Sequence, residues 1–356
     1  MPHAPDLSCE LIEDARGAEW DQFVRSRPDA AAYHRYAWRG VMRSVFRRET
    51  YYLMARDRSL AGDYVAGPVV GILPLARLKS PFFGDFLVSL PYFTYGGVLS
   101  ASEPARAALL AAACALADRL GVSHAELRHR DNLYPAMAVR TDKVSMVLAL
   151  PRDAALLWKA LPSKVRAQIK RPQREGVTLA SGAEELLPDF YTVFATNMRD
   201  LGTPVYAPEF FRCILRTFPD STCLFVARHR GQPVAAGLVV GSGDMLEIPW
   251  ASSLRRVNNL GVNMFLYWSV LEYACTRNYA GFDFGRSTPD SSTYRFKKQW
   301  GAEPLQLYWH YWLRAGGEPP RLNPTNRKYR AAIAVWQRLP LFVANRLGPI
   351  LARNLP

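Results

Sequence analysis

Two stretches of alternating apolar and β-branched residues lie roughly 170 residues apart and predict the same pair of strands twice. The first stretch is YYLMARD (51–57) followed by VAGPVVGILPLA (65–76), and the second is CLFVARH (223–229) followed by VAAGLVVG (234–241). The two runs are separated by a break at Gly62-Asp63 in the first copy and at Arg230-Gly231-Gln232-Pro233 in the second. This pattern is typical of a β-hairpin.

The elements after each hairpin also match. An apolar helix is predicted over Glu103–Leu120 in the first copy and over Val262–Arg277 in the second, and each is followed by a glycine and a strand, VSHAELRH or FDFGRS. We interpret the agreement as a duplicated α/β unit; coincidence is the alternative, because this order of elements is common in α/β proteins. The 356 residues are then expected to form two domains, 1–160 and 161–320, with a tail at 321–356.

Positive charge is concentrated in the second half of the chain. Residues 161–356 hold 25 Lys and Arg against 14 Asp and Glu, within a net charge of +14 for the whole chain. The segment LPSKVRAQIKRPQREGV (161–177) predicts a basic helix that Pro172 ends or kinks, followed by a strand that begins at Val177. This asymmetry indicates a polyanionic partner: a phosphate-bearing substrate, tRNA or an acidic membrane surface.

The tail, 321–356, contains seven Lys and Arg and no Asp or Glu, interleaved with Trp336, Leu341, Phe342 and Ile350. It is predicted to be a basic amphipathic helix that either docks on the first domain or makes peripheral contact with the inner membrane. The longest apolar run is far shorter than the roughly 20 residues that cross a bilayer, and the acidic N-terminal stretch lacks a signal-peptide core. We therefore expect a cytoplasmic protein.

Several kinds of chemistry are disfavoured by missing motifs. No GxGxxG or GxxxxGK[ST] sequence is present, which argues against hydride and phosphoryl transfer. The five cysteines are scattered without a CxxC pair, and His124 and His129 are predicted on opposite faces of one strand. We therefore expect neither a metal site nor a tightly bound cofactor.

A polar loop, SLRRVNNLGVN (253–263), precedes the apolar helix of the second copy. The start of a helix presents backbone N–H groups that favour anions, so the loop is suited to a pyrophosphate. The alternative is a polar connection that only caps the helix. The candidate binding residues are Arg255, Arg256, Asn259, Gly261 and Asn263.

A short helix is predicted over DSSTYRFKKQWG (290–301). At about 100° per residue, Phe296 and Trp300 face the core, and Asp290, Tyr294 and Lys297 share an adjacent face, whereas Lys298 points to solvent. Lys297 is then either an electrostatic catalyst beside an acyl carbonyl, with Tyr294 near it, or an ordinary surface lysine. On the preceding strand, Asp283 is either a general base or a paired charge, and Arg286 is a candidate substrate-binding residue.

The sequence resembles the FemAB-like family of tandem-domain peptidyl and acyl transferases, in the group associated with exosortase and PEP-CTERM exopolysaccharide systems. The matching segments are SLPYFTYGG (89–97), SKVRAQIKRPQREGV (163–177), RDLGTPVY (199–206), PWASSLRRVNNLGVNMFLYW (249–268) and FDFGRSTPDSSTYRFKKQWGAEP (282–304). The resemblance implies an α/β (α+β) fold of two tandem GNAT-like domains, each a mixed, mostly antiparallel twisted sheet flanked by helices, with the cleft in the second.

The resemblance also implies roles for residues. Lys297 matches the lysine at the reaction site of Fem-type transferases, and Lys164, Arg166 and Lys170 match the helix that begins the second domain. Tyr206, Arg286 and Asp290 join them as substrate-binding candidates. The [QR]xxGx[GA] loop of ordinary GNAT enzymes is represented only by Asn258-Asn-Leu-Gly261-Val-Asn263, and no coiled-coil arm is present.

The function implied is transfer of an acyl or aminoacyl group to an amine or hydroxyl of a cell-envelope or exopolysaccharide precursor, which is an anionic saccharide or peptide. The donor, acyl-CoA or aminoacyl-tRNA, enters as a cosubstrate, and tRNA is thus a further partner. The alternative is a non-catalytic module that binds tRNA, a polysaccharide precursor or lipid on a degenerate GNAT fold.

Overall fold

A computed structural model describes residues 6–60, 67–80, 83–320 and 327–355. The chain divides into two compact units. The first comprises residues 1–143, 306–320 and 354–356, and the second comprises residues 144–305 and 321–353. Each unit is built on one sheet.

The strands of the described residues are numbered in chain order. They are β1 (Leu7–Leu11), β2 (Thr50–Asp57), β3 (Val69–Ser80), β4 (Gly84–Val88), β5 (Leu99–Ser100), β6 (His124–His129), β7 (Ala138–Arg140), β8 (Val144–Ala149), β9 (Val177–Gly182), β10 (Thr222–His229), β11 (Gln232–Ser242), β12 (Met245–Ser253), β13 (Gly281–Ser287), β14 (Glu303–Gln306) and β15 (Tyr308–Leu313).

The α-helices of the same residues are α1 (Gly17–Ser26), α2 (Trp38–Phe46), α3 (Glu103–Leu120), α4 (Ala154–Ala160), α5 (Ser163–Arg174), α6 (Leu187–Leu201), α7 (Pro208–Thr217), α8 (Val262–Thr276), α9 (Ser292–Lys298), α10 (Arg327–Gln337) and α11 (Leu341–Ala352).

The two sheets have the same plan. The first runs β1-β2-β3-β4-β6-β15-β7, with β5 beside β3, and the second runs β9-β10-β11-β12-β13-β8-β14. The predicted hairpins are β2/β3 and β10/β11, both antiparallel, whereas β4/β6 and β12/β13 are the parallel pairs at the centre. Mixed sheets flanked by helices are therefore present in both units, as the sequence predicted.

The borders of the units differ from the predicted residues 160 and 320. Strand β8 pairs with β13 in the second sheet, and β15 pairs with β6 in the first. Hydrogen bonding along these strands assigns residues 144–160 to the second unit and residues 306–320 to the first. Such pairings join residues far apart in the chain, and the apolar pattern of one strand does not say which sheet receives it.

Helix α3 crosses the first sheet and contacts β2 and β3. Ser102 caps its N-terminus through a side chain that accepts a hydrogen bond from the amide of Ala105, and Gly121 caps its C-terminus in the left-handed conformation. Its inward residues Leu109, Ala113 and Leu116 join the core of the first unit.

In the second unit, α8 is buried on nearly all sides and contacts α5, β10, β11 and β12. The amphipathic helix α5 buries Val165, Ile169 and Pro172 and turns its Lys and Arg residues outward. Helices α10 and α11 contact α6 and belong to the second unit, whereas the sequence suggested docking on the first domain.

Candidate active site

The strands β12 and β13 separate partway along their length. Their pairing covers Met245–Glu247 and Gly281–Asp283, whereas β12 continues to Ser253 and β13 to Ser287. Glu247 and Asp283 are register partners at the last paired position. Both side chains are buried, at 5% and 2% exposure, so two carboxyl groups lie where the strands begin to diverge.

Beyond this point, β13 contains a bulge. Its register with β8 shifts between Asp283 and Arg286, and Gly285 has a φ of +77°, which favours glycine. Asp283 Oδ1 accepts hydrogen bonds from the Gly285 amide at 2.7 Å and from Ser145 Oγ at 2.5 Å. The aspartate therefore holds the bulge in shape and is paired with neutral donors.

The bulge directs two carbonyl groups at Lys297. The lysine Nζ donates to the Gly285 oxygen at 2.8 Å and to the Arg286 oxygen at 3.0 Å, and the residue is only 7% exposed. Burial lowers the pKa of Lys297 from 10.5 to about 8, although the negative charges of Asp283 and Glu247 oppose this shift. The side chain is consequently still mostly an ammonium ion at neutral pH.

Lys297 is inside because of the residues that flank it on α9. Trp300 is buried, and the ring of Phe296 packs 5.1 Å from that of Tyr267 on α8. This contact turns the Lys297 side of the helix toward β13. Lys298, one position on, is exposed.

Lys297 was expected to share a helix face with Asp290 and Tyr294, but the structure places it apart from both. Asp290 is exposed in a turn with a φ of +61°, and the ring of Tyr294 lies 5.9 Å from the Nζ of exposed Lys298. Arg286 is exposed as well, and its carbonyl is the group that meets Lys297. Lys297 is thus grouped with Asp283, Gly285 and Glu247.

The loop before α8 forms a 3-10 turn over Arg255–Leu260 that ends at Gly261, with a φ of +73°. Arg255 donates to the Asp200 carbonyl at 2.7 Å, Arg256 and Asn259 are exposed, and Asn263 is half-buried. The amides of Gly261 and Met264 bond to the carbonyls of Asn258 and Gly261. These two amides already donate to carbonyl groups of the protein. Fewer free N–H groups therefore remain for the anion that the sequence predicted at this loop.

The helix α5 presents cations along one face. Lys164 and Lys170 are exposed, while Arg166 is half-buried and donates to the Lys159 carbonyl at 3.2 Å. No Lys or Arg of α5 forms a salt bridge with any acid among residues 6–60, 67–80, 83–320 and 327–355. An unpaired basic face of this kind suits an anion.

A cavity of about 390 Å³ adjoins this helix. Lys170 Nζ lies 5.5 Å from the ring of Trp158, which packs edge-on against Trp268. The lining residues are Ala154, Ala155, Trp158, Ile169, Lys170, Gln173, Trp268 and Glu272. Lys297 is not among them, so this cavity and the lysine occupy different parts of the second unit.

Tyr206 belongs to an aromatic cluster. Its ring packs 5.2 Å from Phe210, and its carbonyl accepts a hydrogen bond from Tyr191 at 3.0 Å. The half-buried side chain packs against the core, and substrate binding by Tyr206 stays a prediction.

Sequence reasoning missed Glu247, Ser145 and Ser287. The hydroxyl of Ser287 is buried and has no hydrogen-bond partner in the described part of the chain. Glu247 had a detectable signal, since it is an acid within the apolar strand DMLEIPW. No group of three or more His, Cys, Asp or Glu residues among those described is arranged to hold a metal ion.

Residues 163–298 match the family described as acetyltransferase (GNAT) domain. The UDP-N-acetylmuramoylpentapeptide-lysine N(6)-alanyltransferase of Weissella viridescens is 27% identical over 162 residues, which are 44% of this chain and 48% of that protein. The chain therefore matches about half the length of this relative. The region that matches the family, 163–298, includes helix α9 with Lys297.

Solved structures resemble most of the chain. The crystal structure of FemX superposes with a TM-score of 0.64 at 13% identity, covering 85% of this chain and 96% of FemX. A tandem GNAT protein from the clavulanic acid biosynthesis pathway gives a TM-score of 0.53 at 16% identity, covering 88% and 100%. The fold is a tandem GNAT-like fold. The FemAB-like part of the resemblance is supported, whereas the link to exosortase and PEP-CTERM systems stays a prediction.

Proposed function

We propose that this chain is a FemAB-type acyltransferase that transfers an activated acyl or aminoacyl group to an amine or hydroxyl of a cell-envelope precursor. The observation that carries this proposal is the buried ammonium of Lys297 where β12 and β13 diverge. Similarity to the Weissella alanyltransferase, whose name gives a muramoylpentapeptide lysine as acceptor, supports a peptidoglycan-type precursor. The exopolysaccharide precursor of PEP-CTERM systems is the narrower form of the proposal.

Lys297 acts electrostatically in this reaction. An ammonium has three N–H donors, and two are used by the Gly285 and Arg286 carbonyls, which leaves one for a substrate oxygen. The acceptor amine or hydroxyl attacks the acyl carbon, a new C–N or C–O bond forms, and the bond to the donor's oxygen or sulfur breaks. The proton lost by the acceptor ends on the departing group, and the fixed cation stabilises the charge that develops between these steps.

The donor that the second unit favours is aminoacyl-tRNA. Its phosphates would meet the unpaired basic face of α5, and a base would stack on Trp158 in the adjoining cavity. This helix passes the start of α8, since a β-carbon at Gly261 would lie 3.8 Å from the Gln168 carbonyl. Acyl-CoA is the alternative donor, for which the occupied amides of Gly261 and Met264 leave a smaller cradle.

The test is an incubation of purified protein with aminoacyl-tRNA or acyl-CoA and lipid- or nucleotide-linked envelope precursors, followed by intact-mass detection of the product. We expect Lys297→Ala to lower the transfer rate by at least about 100-fold, because it removes the charge that stabilises the transition state. Lys298→Ala is the matched control, since it removes an exposed lysine from the same helix. Its rate should equal that of the wild type.

Equal rates for both variants would remove Lys297 from the mechanism. Salt-sensitive binding of tRNA or precursor, with no covalent product from any donor, would instead support the non-catalytic binding module. The unpaired cations of α5 are the observation that favours this second candidate. We further propose a cytoplasmic location, where both donors are made. No helix of the described residues is long and apolar enough to cross a membrane.

A further inference from the structure

The last helix, α11, packs through its small residues. Ala344, Gly348 and Ala352 are the buried positions of this helix. The contact at Gly348 is close, because a β-carbon there would lie 2.8 Å from Val205 Cγ1 and 2.9 Å from the Val205 amide nitrogen. Small residues at this spacing let the helix lie directly against the second unit.

The opposite face of α11 carries large apolar residues. Phe342 is 75% exposed, Ile350 is 61% exposed and Leu347 is 43% exposed. At about 100° per residue, Phe342 and Ile350 lie on the side away from Ala344 and Gly348, and Leu347 lies at the edge of the exposed face. On the neighbouring α10, Val335 is 61% exposed. We call Val335, Phe342, Leu347 and Ile350 the apolar tail surface.

This arrangement reverses the usual order of a surface helix, which buries its large apolar residues and exposes its polar ones. Single exposed apolar residues are common, as with Leu11 or Leu156 elsewhere in the chain. Four of them on two consecutive helices are a different case, because several large apolar side chains exposed in one segment favour a partner that removes them from water.

The positive charges on the helices of the apolar tail surface favour a partner with negative charge. Arg330, Arg338 and Arg346 are exposed, and none of them forms a salt bridge with a described residue. Residues 321–356 contain no Asp or Glu. Basic groups beside apolar ones match the boundary between anionic headgroups and acyl chains of a lipid bilayer.

We propose that the apolar tail surface docks on an anionic lipid membrane, with α11 lying in the plane of the interface. Phe342, Leu347 and Ile350 enter the headgroup and acyl boundary, and Arg338 and Arg346 contact phosphate groups. The docking surface is separate from the site of Lys297, and the inference stands whether or not the chain catalyses acyl transfer.

Flotation of the full chain with lipid vesicles tests this inference. We expect binding to vesicles of phosphatidylglycerol and phosphatidylcholine, and much weaker binding to phosphatidylcholine alone or in high salt. The double variant Phe342→Ser/Ile350→Ser should bind roughly 100-fold more weakly, since two large side chains no longer leave water. Arg338→Gln/Arg346→Gln should lose roughly 30-fold, and only toward anionic vesicles.

Leu156→Ser is the matched control, because Leu156 is 55% exposed on α4, outside the tail. It should float like the wild type. All substituted side chains are exposed, so circular dichroism should show an unchanged fold. Absence of flotation with anionic vesicles would overturn the proposal. So would a dimer in solution that the Phe342→Ser/Ile350→Ser variant dissociates, because a second copy would then cover the surface.

Discussion

Burial of the Lys297 ammonium has a consequence for stability that depends on pH. The pKa falls from 10.5 to about 8 in the folded protein, chiefly through burial. Below pH 8 the lysine is charged in both the folded and unfolded states, and the folded state bears the full cost of desolvation. Between pH 8 and 10.5 only the unfolded chain keeps the proton, so this cost is relieved as the pH rises.

We therefore expect the free energy of unfolding of the wild type to rise relative to Lys297→Met between pH 8 and 10.5, by up to about 3 kcal/mol. Methionine keeps a similar shape and does not titrate. Urea denaturation of both proteins over this pH range measures the difference. Parallel pH profiles would show that the lysine does not change its pKa on folding.

Three histidines of the first unit are held neutral. The amides of Ala31 and Val98 donate to His34 Nδ1 at 2.9 Å and to His129 Nε2 at 3.0 Å, and His129 Nδ1 lies 3.1 Å from His310 Nδ1. Burial lowers the pKa of His34 and of His310 to about 4 and that of His129 well below its usual range. Each ring therefore accepts a hydrogen bond through the lone pair of a ring nitrogen. Protonation would remove that lone pair.

We expect this unit to lose stability as the pH falls from 6.5 to 4, because only the unfolded chain takes up these protons in that range. For His34 the loss is about 2 kcal/mol at pH 5. The rate of amide hydrogen exchange around Val98 measures this loss of stability. His34→Gln, which has both an acceptor and a donor, should reduce the pH dependence, and an unchanged profile would contradict the assignment for His34.

At this scale, sequence reasoning located single residues better than their partners. Helical spacing beside Trp300 was enough to distinguish Lys297 from Lys298. The contact of Ser145 with Asp283 joins residues 138 positions apart through strand pairing. Glu247 reaches the same place through a parallel register that the sequence pattern does not encode.

Among the elements, the bulge of β13 is the one on which the site depends. Gly285 has a φ of +77°, and a β-carbon there would make only an ordinary contact, 3.8 Å from the Ile248 carbonyl. Substitution is therefore opposed by backbone strain and not by space. That strain costs about 1 kcal/mol. Relief of it would turn the two carbonyl groups away from Lys297.

We expect Gly285→Ala to lower the transfer rate strongly while destabilising the fold by about 1 kcal/mol. Gly176→Ala is the matched control, since Gly176 has a φ of +78° and a β-carbon there would meet nothing within 4 Å. It should show the same loss of stability in thermal unfolding with normal transfer. Equal transfer rates in the two variants would mean that the bulge does not position the lysine.

The sequence predicted the ends of the helices more accurately than the contacts around them. The bounds of α3 agree with the predicted Glu103–Leu120, because the Ser102 cap and Gly121 are local signals. Helix α5 continues past Pro172 to Arg174, although a kink or end was expected at the proline. The proline lies in the last turn and is buried against the unit, so packing offsets its missing N–H.

For the molecule as a whole, the sequence predicted the duplication, and the structure gives both units the same strand order. The borders between the two units were not predictable, because β8 and β15 pair with strands far away in the sequence. Strand β8 pairs with β13, and β15 pairs with β6. The charge asymmetry was visible in the sequence as well. Only the structure shows that the excess positive charge includes two separate groups, one on the exposed face of α5 and one on the helices of the apolar tail surface.

The central claim is that Lys297 acts as a cation, and the most direct test is the pH dependence of the single-turnover rate of acyl transfer. Lys297→Arg provides the reference, because its charge persists at all pH values used and the ratio of the two rates cancels ionisation of the acceptor. We expect the rate of the wild type, relative to this variant, to fall as the pH rises past about 8. A ratio that rises through the same pH would show that the neutral amine is the active form and would contradict this account.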